Sequence, residues 1–132
     1  ADDADPQFLA EFTRWWATSD RVGWIARVDG KAVGMANAAV FHRMPRPGRL
    51  ASRWAYAANV WVDPAYRRRG IAAAVMGELI AWARAEGMAR VVLAPSEMSV
   101  PLYAGLGMRP ATDLMRLDLP PKPVQPTESG RD

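Results

Sequence analysis

The chain has 132 residues, 50% hydrophobic and 23% charged, with a formal net charge of +3, which suits one domain with a real core and lacks the basic face of a nucleic-acid binder. Cysteine is absent, excluding disulfides, thiolate metal ligands and a cysteine nucleophile. No apolar run nears the roughly 20 residues of a membrane span, and an N-terminus opening on Asp2, Asp3 and Asp5 is not a signal peptide, so the expected location is the cytoplasm.

Pro6 to Thr18 carries Phe8, Leu9, Phe12, Trp15 and Trp16 near an i, i+3, i+4, i+7 stripe and predicts a helix. Val22 to Val28 and Lys31 to Phe41 flank Asp29-Gly30, a strong hairpin signal. Met44 to Arg49, with two prolines and a glycine, is a loop. Arg53 to Val62 is aromatic-rich and predicts a long central strand. Gly70 to Glu86 predicts a helix with Ile71, Val75, Leu79 and Trp82 as its core stripe and Gly87 as its stop. Val91 to Leu93 is a short apolar strand, Ser99 to Leu106 a short helix and Met115 to Leu119 a last strand. Residues 1–119 form the domain; Pro120 to Asp132 holds four prolines and reads as a disordered tail. Trp15, Trp16 and Trp24 are expected in the core rather than in a substrate cage.

Asp63-Pro64-Ala65-Tyr66-Arg67-Arg68-Arg69-Gly70-Ile71-Ala72 follows the central strand and opens the long helix. A basic glycine turn at a helix N-terminus suits phosphate, because backbone N–H groups converge there and the helix end adds about half a positive charge. Its Arg-x-x-Gly-x-Ala spacing resembles the pyrophosphate loop of the GCN5-related N-acetyltransferase (GNAT) family. Downstream, Leu102, Tyr103 and Gly107 match that family's Asn-x-x-Ala-x-x-Leu-Tyr-x-x-x-Gly-Phe pattern, while Ser96, Ser99 and Met108 replace its asparagine, alanine and phenylalanine.

The resemblance covers about residues 6 to 119 and implies an α/β fold, a mixed, mostly antiparallel central sheet flanked by helices. The family's usual first strand and helix are not seen ahead of Pro6. It implies acetyl-CoA as cosubstrate, no metal, and acetyl transfer to a primary amine on a small molecule or peptide. Val60, Trp61 and Val62 would offer strand backbone to the pantetheine and acyl carbonyl. Arg67, Arg68, Arg69, Gly70, Ile71, Ala72 and Ala73 would surround the pyrophosphate, with Gly70 leaving room for close backbone approach. Ser96 would contact the pantetheine arm with one hydroxyl.

Tyr103 is the expected catalytic residue. A thiol near pKa 8.5 and a tyrosine near 10 make full proton transfer uphill by about 2 kcal/mol, so Tyr103 reads as a hydrogen-bond donor to the leaving sulfur. Relatives often place a glutamate on the central strand as base; Trp54 to Val62 has none, and Asn59, in that region, cannot take a proton but could position a water or the substrate. His42 and Glu97 are the outside candidates, and a water chain is the favoured route. Four arginines in Arg43 to Arg53 fit either a solvated loop or an anionic acceptor. A second reading is a non-catalytic acyl-CoA-binding module, motivated by the missing carboxylate and by Ser96. Neither nucleic acid nor membrane is an expected partner, and an uncovered sheet edge leaves a homodimer open.

Overall fold

Four strands hydrogen-bond in chain order into a single sheet in the computed structural model, which describes residues 5–48 and 52–122. The elements are α1 (Pro6–Ala17), β1 (Arg21–Val28), β2 (Lys31–His42), β3 (Arg53–Val62), α2 (Ile71–Ala85), β4 (Val91–Val92) and α3 (Val100–Gly105), with 3-10 turns at Pro64–Tyr66 and Glu97–Ser99. β1, β2 and β3 are antiparallel neighbours, and β4 joins β3 in parallel. The Asp29-Gly30 hairpin forms as the sequence indicates, with both residues at positive φ.

Alternation along the strands decides which face is core. Ala36 and Ala38 of β2 and Ala55 and Ala57 of β3 point to one side, where Val75, Met76 and Leu79 of α2 cover them. Alanine on the sheet lets the helix approach closely while its own larger side chains fill the layer. Gly34 is the tightest point of this approach: a Cβ there would lie 2.8 Å from the Ile71 methyl, so the start of α2 rests on glycine. Trp24 meets Trp82 edge-on at 5.3 Å between centroids and closes the same layer.

Three expectations change. Trp15 and Trp16 are not core: they are 38% and 36% exposed, α1 buries no residue, and its aromatics stack mainly on one another. Only Trp24 of that trio is packed against the core. Met115 to Leu119 forms no strand, and Met115 is 100% exposed. The predicted tail lies outside the described residues from position 123 onward, as do residues 1–4 and 49–51.

Candidate active site

β4 pairs with β3 only at Ala55 and Tyr56, so the two strands part beyond Tyr56. A bulge marks the same region: Ala58 faces Asn37 and Trp61 faces Met35, leaving Asn59 and Val60 opposite the single residue Ala36. Asn59 takes the left-handed conformation, φ 56°. Asparagine tolerates it better than most side chains. The gap opens into a cleft of about 460 Å³.

Of the residues singled out from sequence, Val60, Trp61, Val62, Arg67, Arg68, Gly70, Ile71, Ala72, Ala73, Ser96 and Tyr103 all line this one cleft. Arg69 does not; its guanidinium lies 5.0 Å from the Tyr66 ring centroid, and Lys31 approaches the same ring at 5.5 Å. Tyr66, Met98, Ser99 and Leu102 complete the lining.

One end of the cleft is built from unpaired donors. Gly70 is the N-cap of α2 with no side-chain hydrogen bond, and the first intrahelical bond from this end runs from the Ala74 N–H to the Gly70 carbonyl at 3.0 Å. The N–H groups of Ile71, Ala72 and Ala73 therefore face the cleft without the capping oxygen most helices supply. Arg68 and Gly70 both have positive φ, 65° and 78°, which turns the intervening backbone inward. No protein atom lies within 4 Å of a Cβ built on Gly70, so within the chain it is the positive φ that calls for glycine there. The turn is braced from outside: the Asp63 carboxylate accepts from the Ala65 N–H at 2.9 Å, and Arg67 Nε donates to the Val62 carbonyl at 3.1 Å. That bond already occupies one of the strand groups expected to face ligand.

At the other end stands Tyr103, 8% exposed and packed into the core. Its hydroxyl makes no hydrogen bond among the described residues, and burial raises its pKa above the usual 10. A proton held so firmly makes the phenol a donor rather than an acid. Ser96 Oγ donates to Ser99 Oγ at 3.0 Å, and Ser99 Oγ donates to the Ser96 carbonyl at 2.9 Å. With its proton committed to Ser99, Ser96 offers the cleft an acceptor.

Behind the bulge, on the sheet face away from α2, lies a polar chain that sequence reasoning missed. Arg21 Nη1 donates to Asn37 Oδ1 at 2.9 Å, and Asn37 Nδ2 donates to Asn59 Oδ1 at 2.9 Å. Asn37 is 2% exposed, and Trp15 covers Arg21 with its ring centroid 4.2 Å from the guanidinium carbon. Asparagine inside two otherwise apolar strand runs was the available signal, since strands disfavour it.

His42 is elsewhere. It pairs with Arg53 at the start of β3, about nine residues or roughly 30 Å of strand from Val62, and bonds Asp20 through Nε2 at 3.1 Å. With Arg43, Arg53 and Glu86 it lines a separate hollow of about 490 Å³. Arg43, Arg46 and Arg53 are not among the residues that line the cleft, and Glu97 is exposed outside its lining. No Asp, Glu or His is among the described lining residues.

Comparison with known proteins agrees with this geometry. Residues 2–108 match the model of the acetyltransferase (GNAT) family. A glucosamine 6-phosphate N-acetyltransferase of Trypanosoma brucei brucei is 37% identical over 90 residues, which span 68% of this chain and 59% of that protein's length. A Trypanosoma brucei acetyltransferase structure superposes with a TM-score of 0.72 at 30% identity, over 90% of this chain and 83% of that one. A structure from Clostridium acetobutylicum, of a predicted acetyltransferase with acetyl-CoA, superposes with a TM-score of 0.70 at 22% identity, over 89% and 79% of the two chains. The cleft at the end of β3 is therefore that of a GNAT-family protein, and the chain belongs to the acetyltransferase (GNAT) family.

Proposed function

We propose that this chain is an acetyl-CoA-dependent N-acetyltransferase that passes the acetyl group directly to a primary amine, with no covalent enzyme intermediate. One observation carries the reading: an uncapped helix N-terminus and a buried tyrosine with an unpartnered hydroxyl share one cleft. The donors of Ile71, Ala72 and Ala73 suit a pyrophosphate, which brings negative charge to the positive end of α2. Val60 and Trp61, released from β4, leave strand backbone for an extended amide-bearing arm. Ser96 Oγ can accept from one of that arm's N–H groups.

Acetyl-CoA supplies an activated thioester: the amine nitrogen bonds to the acetyl carbon, the carbon–sulfur bond breaks, and the electron pair leaves on sulfur. Tyr103 donates a hydrogen bond to that sulfur, stabilising negative charge without surrendering its proton. The attacking amine must arrive unprotonated. For an alkylammonium near pKa 10.4 this costs about 4.6 kcal/mol at pH 7. With no carboxylate or imidazole lining the cleft, the proton leaves through water. The similarity to a glucosamine 6-phosphate N-acetyltransferase makes glucosamine 6-phosphate the first acceptor to try.

The cleft's lack of an ionisable base also favours a second reading, a module that binds acyl-CoA without turnover. Calorimetric titration with acetyl-CoA, followed by thiol release against glucosamine 6-phosphate and an amine panel, separates the two. Binding with thiol release supports the enzyme. Binding with none on any amine supports the module, and no binding overturns both.

A further inference from the structure

The polar chain behind the bulge has a fixed direction. A guanidinium carries only donors, so Arg21 Nη1, 2.9 Å from Asn37, must face that residue's amide oxygen. The Asn37 NH2 group is then turned toward Asn59, 2.9 Å away, and must meet the Asn59 oxygen. Asparagine amides ordinarily leave their two ends ambiguous. Here one arginine orients both. What remains at the end of the chain is the Asn59 NH2 group, on an exposed residue directly before the cleft-lining Val60.

From this we infer that Asn59 is a specificity-determining residue for the acceptor: it presents a hydrogen-bond donor one residue before the cleft-lining Val60 and selects amines whose neighbouring substituent is an acceptor oxygen. Arg21 and Asn37 are positioning residues that act through it. An acceptor with a second ammonium group there meets a donor facing a donor, leaving two groups unpaired. A site built on one hydrogen-bond direction rejects the opposite strongly. Trp15 contributes by holding the guanidinium in place, which gives the exposed α1 a part in the site. The inference rests on the acetyltransferase reading above.

The direction can be reversed without substituting Asn59. In Asn37→Asp the side chain only accepts, so it keeps Arg21 as partner and forces Asn59 to turn its NH2 inward and its oxygen outward. Two ring-matched probes read this: trans-2-methoxycyclohexylamine, whose ether only accepts, and trans-1,2-diaminocyclohexane, whose second ammonium only donates. The wild type should favour the methoxy amine by about 10-fold in kcat/KM, and Asn37→Asp should move the ratio toward the diamine by at least as much. Arg21→Gln, which can bond in either sense, should bring the ratio toward one. Side-chain 15N–1H spectra supply an independent readout: Asn37 NH2 protons exchange slowly and Asn59 protons fast in the wild type, whereas Asn59 becomes the protected group in Asn37→Asp. An unchanged ratio, unchanged Asn59 exchange in the variant, or a protein that binds acetyl-CoA and acetylates neither probe overturns the inference. Loss of acetyl-CoA binding in the wild type overturns the functional reading instead, and the exchange spectra still judge the chain's direction.

Discussion

Two hollows of nearly equal size, about 490 Å³ at the start of β3 and about 460 Å³ at its end, differ in what their polar groups are doing. The first holds the only histidine, two arginines and a glutamate. Yet Arg53 donates to the Glu86 carbonyl at 2.7 Å and pairs with its carboxylate, and His42 bonds Asp20. Arg53, Glu86 and His42 thus already have partners. Among the described residues the second hollow has no carboxylate or imidazole in its lining, but it exposes helix donors without caps, a phenol without a partner and a strand that parts from its neighbour. Unsatisfied polar groups cost free energy, so their concentration at one place marks a site better than titratable residues do.

The largest effect should come from loading the donor end of the second hollow. Gly70→Glu adds a side chain at φ 78° and sets a carboxylate against the helix N-terminus where a pyrophosphate would lie. Acetyl-CoA affinity should fall by about 100-fold in calorimetry, from roughly 2–3 kcal/mol of strain and repulsion. Circular dichroism should stay native, since nothing crowds that position. Unchanged affinity would falsify the phosphate-loop assignment.

Next is Tyr103→Phe. A hydrogen bond to a charged sulfur is worth about 1.5–3 kcal/mol, so kcat should drop by about 10- to 100-fold while KM for acetyl-CoA changes little. Burial raises the Tyr103 pKa, so the phenol stays protonated through pH 10 and its donor is lost only above that. Below the acceptor's pKa the rate should therefore rise with pH at unit slope, following the free amine, with no bend from Tyr103. Tyr103→Phe should lower that line without tilting it. A plateau between pH 6 and 9 in the wild type would instead reveal an ionising base.

The two stretches that carry these predictions, which the fold brings to one cleft, stood out in the sequence because their patterns are local. Arg67 to Gly70 follows a strand and precedes a helix within ten residues, and Leu102-Tyr103 sits one turn from its stop at Gly107. The link between Asn37 and Asn59 was not legible, although Asn59 already stood out on the central strand. Their meeting depends on which residues face each other across β2 and β3, and the bulge resets that register after Ala58. α1 failed differently. Periodicity correctly gave an amphipathic helix, but it cannot say whether another element covers the apolar face, and in the described residues Phe8, Phe12, Trp15 and Trp16 stay partly exposed. Met115 to Leu119 carries a related lesson for strands: an alternating pattern supplies a face but does not bring the segment to a sheet edge.

The smallest effects should belong to the first hollow, and they test the comparison from its other side. Arg53→Ala removes an ion pair that is only partly buried and a donor to the end of α2, which together should cost about 1 kcal/mol in thermal or denaturant unfolding. His42→Ala removes one exposed contact with Asp20 and should cost less still. Neither substitution touches the cleft, roughly 30 Å away along β3, so kcat/KM for any accepted amine should stay within about twofold, a change under 0.5 kcal/mol. A large loss of turnover in His42→Ala, with acetyl-CoA affinity and unfolding midpoint unchanged, would reverse the ranking: a paired, exposed histidine would then be serving the reaction, and unsatisfied donors would no longer suffice to locate the site.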